Sequence, residues 1–298
     1  MLLLVAGASG FLGRHLVEGL RANGDEVRSL VRSVPSAHDQ VRWDPAHGSL
    51  DPTALDGVDV VVNVAGSPTL GNPHSKTWAR NMLESRVSTT RTLAEAIAAH
   101  PGKPAFLAQN GVGWYGDHGP EVITEASGTR GDAFMTNVSR EWQSAATPAV
   151  DAGARVCVLR TVPVYDRTAP PLKQQLLMFQ LGLGAQLGDG RQFFPVISLR
   201  DWVAAVIHVG HDASLSGPVN LCAPRTPTNA EFTQALARAV HRKAFLRVPA
   251  FVIKPGAGRM ANEVLGSLNV VPEVLDKSGF RFRDEDVDDV LAEGLKKS

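Results

Sequence analysis

The opening stretch, Met1-Leu-Leu-Leu-Val-Ala-Gly7-Ala-Ser9-Gly10-Phe-Leu-Gly13, constrains this chain more than any other. Residues 2–6 are an unbroken apolar run of strand length, too short to cross a membrane. Glycines follow at 7, 10 and 13. Phe11, Leu12, Leu16, Val17 and Leu20 then recur at helical spacing up to a stop at Asn23-Gly24. Strand, glycine turn and helix in that order make the phosphate-binding corner of a dinucleotide fold. Gly7 permits the sharp turn, Gly10 lets backbone amides approach a pyrophosphate, and Gly13 lets the helix lie close on the sheet. The free N–H groups and positive end of the helix supply the anion site. The predicted cofactor contacts here are Gly7, Ser9, Gly10, Phe11, Leu12 and Gly13.

The next strand reads Glu26-Val-Arg-Ser-Leu-Val-Arg32-Ser33. An NAD-binding chain places an acid at the end of this strand, about 20 residues after the glycines, to hold the ribose 2′-hydroxyl. Arg32 and Ser33 stand there instead, and a planar guanidinium suits a 2′-phosphate. The cofactor expected is therefore NADP(H). A third, valine-rich strand ends in Val64, Ala65 and Gly66, which should skirt the adenosine or pyrophosphate side, since ligands of open α/β sheets sit at the carboxyl ends of strands. Residues 68–74 read as a loop and 78–100 as a helix. Arg86 on that helix either reaches the cofactor or lies on its wet face.

With 298 residues the chain can bury a large α/β core. Thirty Lys+Arg balance thirty Asp+Glu, which argues against an electrostatic grip on nucleic acid or acidic lipid. The two cysteines, Cys157 and Cys222, make neither a disulfide framework nor a zinc site. No metal site, nucleic acid or membrane partner is expected. The first residues lack the basic segment of a signal peptide, and no stretch is long enough to span a membrane. A soluble cytoplasmic protein, monomer or homodimer, acting on a small molecule is predicted.

A series of motifs runs the length of the chain: Gly7-Ala-Ser-Gly-Phe-Leu-Gly13, Asn63-Val-Ala-Gly66, Glu84-Ser-Arg-Val-Ser-Thr-Thr90, Val112-Gly-Trp-Tyr-Gly-Asp117, Arg140-Glu-Trp142, Leu181-Gly-Leu-Gly184, Gly188-Asp-Gly-Arg-Gln192, Thr228-Asn-Ala-Glu-Phe232 and Pro249-Ala-Phe251. In this series the chain resembles an atypical short-chain dehydrogenase/reductase of the extended, epimerase-like branch. It is similar to the subfamily called epimerase family proteins, also described as nucleoside-diphosphate-sugar epimerases. The resemblance implies an α/β fold with a Rossmann-like, doubly wound parallel sheet, an NADP(H) site and a small C-terminal substrate lobe. The expected division is a cofactor core over 1–165, completed by about 193–222, and a lobe from 166–192 and 223–298. Backbone around Thr161 and Val164 is expected to touch the nicotinamide carboxamide.

The chain departs from that resemblance where chemistry is done. Usual members hold the substrate oxygen with Ser or Thr and move the proton with a Tyr-x-x-x-Lys helix. Here the Ser position is Asn110, the tyrosine falls near Met135 and the lysine near Ser139. Neither Tyr115 nor Tyr165 is followed four residues on by lysine. Relatives also tend to carry Gly at Val162 and His at Ser198. Tyr115, after the strand facing the nicotinamide half, is the expected proton donor; Asn110 is a neutral oxyanion donor and His118 a group of suitable pKa. Tyr115 also reads as a loop anchor on Trp114, and His118 as an exposed loop residue. The leading function is an NADP(H)-dependent oxidoreductase or epimerase on a small carbonyl or hydroxyl compound. A redox-neutral isomerase or cyclase, and a non-catalytic NADPH-responsive binder, stand as alternatives.

Overall fold

The computed structural model describes residues 1–296. Eight strands form the central sheet: β1 (Leu2–Ala6), β2 (Glu26–Val31), β3 (Gln40–Asp44), β4 (Ser49–Leu50), β5 (Val60–Asn63), β6 (Ala105–Gly111), β7 (Val156–Thr161) and β8 (Gly217–Leu221). The main helices are α1 (Phe11–Ala22), α2 (Lys76–Ala99), α3 (Phe134–Ser144), α4 (Pro170–Gln180), α5 (Leu199–His211), α6 (Asn229–Ala239), α7 (Ala250–Ala257) and α8 (Val287–Gly294). The strand order is β8-β7-β6-β5-β1-β2-β3-β4. All neighbours are parallel except β3 and β4. The chain winds outward from β1 through β2 to β4, then returns to β5 on the other side of β1. That reversal leaves a crevice at the carboxyl ends of β1 and β5, where ligands of such sheets bind.

Both faces of the sheet are covered, which is why β1 and the Val60–Val62 run of β5 are apolar rather than alternating. Leu3, Val5, Val60, Val62, Leu107 and Leu159 pack under α1 and α5. Leu4, Ala6, Val61, Phe106 and Val158 pack under α2 and the chain that follows α3. The strand β3, which the sequence pattern does not reveal, is polar and buries only Trp43, as suits a strand near the edge.

Several helix limits follow their caps. Ser75 accepts from Trp78 N and starts α2 before the apolar repeat begins. Thr228-Asn-Ala-Glu231 reads as a capping box, and it opens α6. Asp201 reads in the sequence as the cap of α5, but Ser198 is the cap, and Asp201 accepts the backbone N–H groups of Arg283 and Asp284. The sequence reads as a closing helix over 284–297; the helix observed is Val287–Gly294, and residue 297 lies outside the described residues. Beyond the sheet, Ala185–Leu187 pairs with Leu246–Val248, and Val122–Ile123 with Asn269–Val270. Tyr165, Leu172, Phe179, Phe232, Leu236, Val290 and Leu291 form a separate apolar cluster between these segments. No helix among the described residues is long and apolar enough to cross a membrane.

Candidate active site

The glycine corner has the geometry its spacing requires. Gly7 takes φ +88°, and a methyl group there would fall 2.7 Å from Ala65 N, so the ends of β1 and β5 touch through it. A methyl group on Gly13 would fall 2.0 Å from the Gly7 carbonyl oxygen, which is how α1 lies so close to the turn. Gly10 is the residue before α1; no side chain caps the helix and no acid stands in its first turn. The first amides, Phe11, Leu12 and Gly13, have no acceptor within the helix and are left for an anion. Ser9 and Gly10 are exposed beside them, and Arg32 and Ser33 lie exposed just past the end of β2.

Asn63 ends β5 and sets the crevice floor. Its amide donates to Thr90 Oγ1 at 3.0 Å, and its Oδ1 accepts Ala65 N at 3.0 Å, fixing the turn through Val64 to Gly66. Arg86 reaches this turn from α2. Its side chain lies where a methyl group on Gly66 would meet it at 3.5 Å, and its Cζ sits 5.1 Å from the Trp142 ring. Arg86 is 7% exposed. It donates to Met82 O and Thr69 Oγ1, while Nε is buried without a partner among the described residues. Burial pushes its pKa down to about 10. Arg86 is thus a buried cation at the turn after β5, with one N–H left without a partner among the described residues.

The strand β6 ends in Asn110 and Gly111, opposite Arg160 and Thr161 of β7. Met135 and Ser139 of α3 lie against Gly113; a methyl group there would meet Met135 Cβ at 3.3 Å and Ser139 Oγ at 3.6 Å. The positions matched to the missing tyrosine and lysine therefore do face the strand ends. Thr161 Oγ1 accepts Trp202 Nε1, and the backbone at Val164 pairs with Ile197 in a short parallel ladder, so this wall is held by both side chain and backbone.

All three residues named as proton or oxyanion groups need correction. The Tyr115 ring is fully buried, and its hydroxyl donates to Asn220 Oδ1 of β8 at 2.7 Å. Burial pushes the phenol up in spite of Arg160, so it neither meets the crevice nor gives up its proton readily. It packs edge-on to Trp114, and the Arg160 guanidinium stacks 3.6 Å from the Trp114 ring. Tyr115 is a loop anchor. Asn110 is spent as well: Nδ2 donates to Ser139 O, and Oδ1 accepts Gly111 N at 2.7 Å. His118 is buried rather than exposed; its Nε2 donates to the Tyr115 carbonyl, and its own amide donates to Ser267 O.

Two carboxyl groups that no sequence motif signals stand near this end. Glu263 Oε1 accepts Met135 N at 3.2 Å, and its Oε2 is buried without a partner among the described residues. Glu125 Oε1 accepts Asn220 N and Val274 N, and its Oε2 is likewise buried and unpartnered. Burial pushes both upward. Among the described residues no cluster of three or more His, Cys, Asp or Glu side chains is placed to hold a metal ion.

The doubly wound sheet, the uncapped α1 corner and the buried Arg86 define a dinucleotide-binding α/β protein of dehydrogenase type. The chain belongs to the NAD dependent epimerase/dehydratase family, whose model matches residues 3–222. A domain of unknown function (DUF1731) matches residues 248–293. It is 35% identical over 289 residues to an epimerase family protein, ML0860, of Mycobacterium leprae (strain TN), covering 97% of this chain and 94% of the relative. It is similar to the crystal structure of human epimerase family protein SDR39U1 (isoform 2) with NADPH: TM-score 0.88, 31% identity, 99% of each chain covered. A nucleoside-diphosphate sugar epimerase from Corynebacterium glutamicum gives a TM-score of 0.81 at 31% identity, covering 99% of this chain and 58% of the other.

Proposed function

We propose that this chain binds NADP(H) in the crevice and transfers hydride between it and a carbonyl or hydroxyl carbon of a small organic substrate, as a net oxidoreductase or by reversible oxidation. The observation that carries the reading is the open N-terminus of α1 together with the unpartnered Nε of Arg86. The Phe11, Leu12 and Gly13 amides would hold one phosphate of the pyrophosphate. Arg86 would hold the other side of it, and Arg32 and Ser33 a 2′-phosphate. Val64, Ala65 and Gly66 would line the adenosine side, and backbone at Thr161 and Val164 the carboxamide. The bound cofactor supplies the hydride; the protein orients it and keeps water from the strand ends. The human relative solved with NADPH supports NADP(H) over NAD.

The lobe, residues 166–192 and 223–298, would close the substrate side. Two buried free thiols, Cys157 and Cys222, suit a reducing cytoplasm. A redox-neutral isomerase has one observation in its favour: Met135 and Ser139 occupy the places of the usual proton-moving pair.

Fluorescence titration with NADPH and NADH tests the site, and NADPH oxidation over a carbonyl panel tests the reaction. Arg32→Ala should weaken NADPH by about 10- to 100-fold, the worth of one charge-assisted pair, and leave NADH unchanged. Equal loss for both cofactors would remove Arg32 from the 2′-phosphate. A substrate converted without transient or net oxidation of NADPH would favour the isomerase.

A further inference from the structure

The crevice lacks a proton-moving group of the usual kind, and the three residues that sequence offers in its place point elsewhere. One stripe of α3 shows what is there instead. Met135, Ser139 and Trp142 recur at four and three residues and so share a face. Buried polar atoms without partners gather along this stripe: Ser139 Oγ on it, Arg86 Nε beside Trp142, and Glu263 Oε2 at its upper end. Trp78 Nε1, also buried and unpartnered, belongs to the same place, since its ring packs 5.6 Å from Phe134. Natural interiors leave few polar atoms unsatisfied, so four around one helix stripe mark where a polar ligand is received.

We infer that Glu263 is the acid–base group of this site, standing in for the absent tyrosine and moving a proton to or from the substrate oxygen. Its Oε1 is held by the backbone N–H of Met135, the residue matched to that tyrosine, whose side chain fills the space against Gly113 at the end of β6. The second oxygen is therefore fixed in direction and buried, with no partner among the described residues. A carboxyl that served only to cap α3 would leave its second oxygen in the interior with no donor. Burial is the first influence on Glu263, opposed only by backbone N–H groups, its own and that of Met135, with no charged side chain contributing. Burial thus favours the protonated carboxyl, the form that gives a proton.

The inference rests on the hydride-transfer reading for its substrate. In reduction the carbonyl carbon takes the hydride supplied by NADPH, and the C=O π pair moves to oxygen. That oxygen takes the proton of the Glu263 carboxyl. The products are an alcohol, NADP⁺ and a Glu263 carboxylate, which water reprotonates; oxidation runs the same steps in reverse.

Glu263→Gln keeps an oxygen for Met135 N and removes the proton, so it separates the cap from the chemistry. The full chain, labelled with glutamate carrying ¹³C at the carboxyl, locates Glu263 by the resonance missing in Glu263→Gln. The expected result is a carboxyl that titrates above the other glutamates and shifts when NADPH is added. In the same proteins, NADPH affinity should agree within about twofold, the heat-unfolding midpoint should hold, and single-turnover reduction of phenanthrenequinone should fall ~100-fold or more with loss of its pH limb. Glu263 ionising with the exposed glutamates, or a variant reducing the quinone at the wild-type rate, overturns the inference. A wild type that binds NADPH but reduces no quinone counts against the hydride reading alone. In that case the titration, with or without its response to NADPH, decides Glu263.

Discussion

Arg86→Met gives the sharpest test of the crevice, because the wild-type residue should harm the empty protein and help the loaded one. Burial pulls its pKa from the ordinary arginine range down to about 10. At about 1.4 kcal/mol per pH unit, keeping the guanidinium charged without an anion costs roughly 3 kcal/mol. The bonds to Met82 O and Thr69 Oγ1 offset about 1 kcal/mol each. Methionine keeps most of the apolar stem and needs no hydrogen bonds, its thioether taking the guanidinium's place against the Trp142 ring. The cofactor-free variant should thus be more stable by about 1 kcal/mol, a rise in heat-unfolding midpoint of roughly 2–4 °C for a chain near this size. With NADPH present the sign reverses. Losing a buried charge-assisted contact to phosphate should cost about 1.5–3 kcal/mol, or ~10- to 100-fold in Kd. Heat unfolding without nucleotide and fluorescence titration with NADPH measure the two halves. A destabilised variant that binds NADPH as tightly as wild type would refute the reasoning and make Arg86 a brace for the 68–74 loop.

Three further substitutions probe the surrounding frame. Gly13→Ala should gain about 1 kcal/mol of helix propensity. Its methyl group would overlap backbone at 2.0 Å, so a net loss of ~1–3 kcal/mol and of nucleotide binding is expected in urea unfolding and titration. Tyr115→Phe should lose about 1–2 kcal/mol by stranding Asn220 Oδ1, yet keep its turnover; a collapse of turnover in a folded variant would restore Tyr115 as the proton donor. Glu125 has its folded pKa raised by burial, so the native state holds the proton longer than the unfolded chain does. Stability contributed this way is full below the unfolded value of 4.5 and falls as pH rises through the folded one. Glu125→Gln should flatten that decline in urea unfolding compared between acid and neutral pH, and an unchanged slope would count against it.

Local rules decided much of this protein before any tertiary contact is considered. The β1–turn–α1 unit is legible because one residue type, glycine, solves three local problems at 7, 10 and 13, and because apolar runs covered on both faces need no partner to be recognised. The capping box at Thr228 and Glu231 is local in the same sense. The 2′-phosphate role proposed for Arg32 is a local reading too, because its place is counted along the chain from the glycines. The strand β3, next to the edge, is not legible in this way, since a polar segment gains its order from pairing with Ser29, Leu30 and Val31 of β2.

The proton chemistry lies beyond such rules. Sequence places Tyr115, Asn110 and His118 near a strand end but cannot say where their side chains point. Burial turned Tyr115 into the core toward Asn220, and two backbone groups consumed the amide of Asn110. Glu263 meets Met135 across 128 residues of chain, in a segment with no motif to announce it. What the sequence by itself determined is the corner for phosphate, because that corner is made of backbone and adjacent residues. Which acid stands at the reacting end was decided only when the last part of the chain folded onto α3, because desolvation and an unshared oxygen are properties of packing and belong to no residue alone.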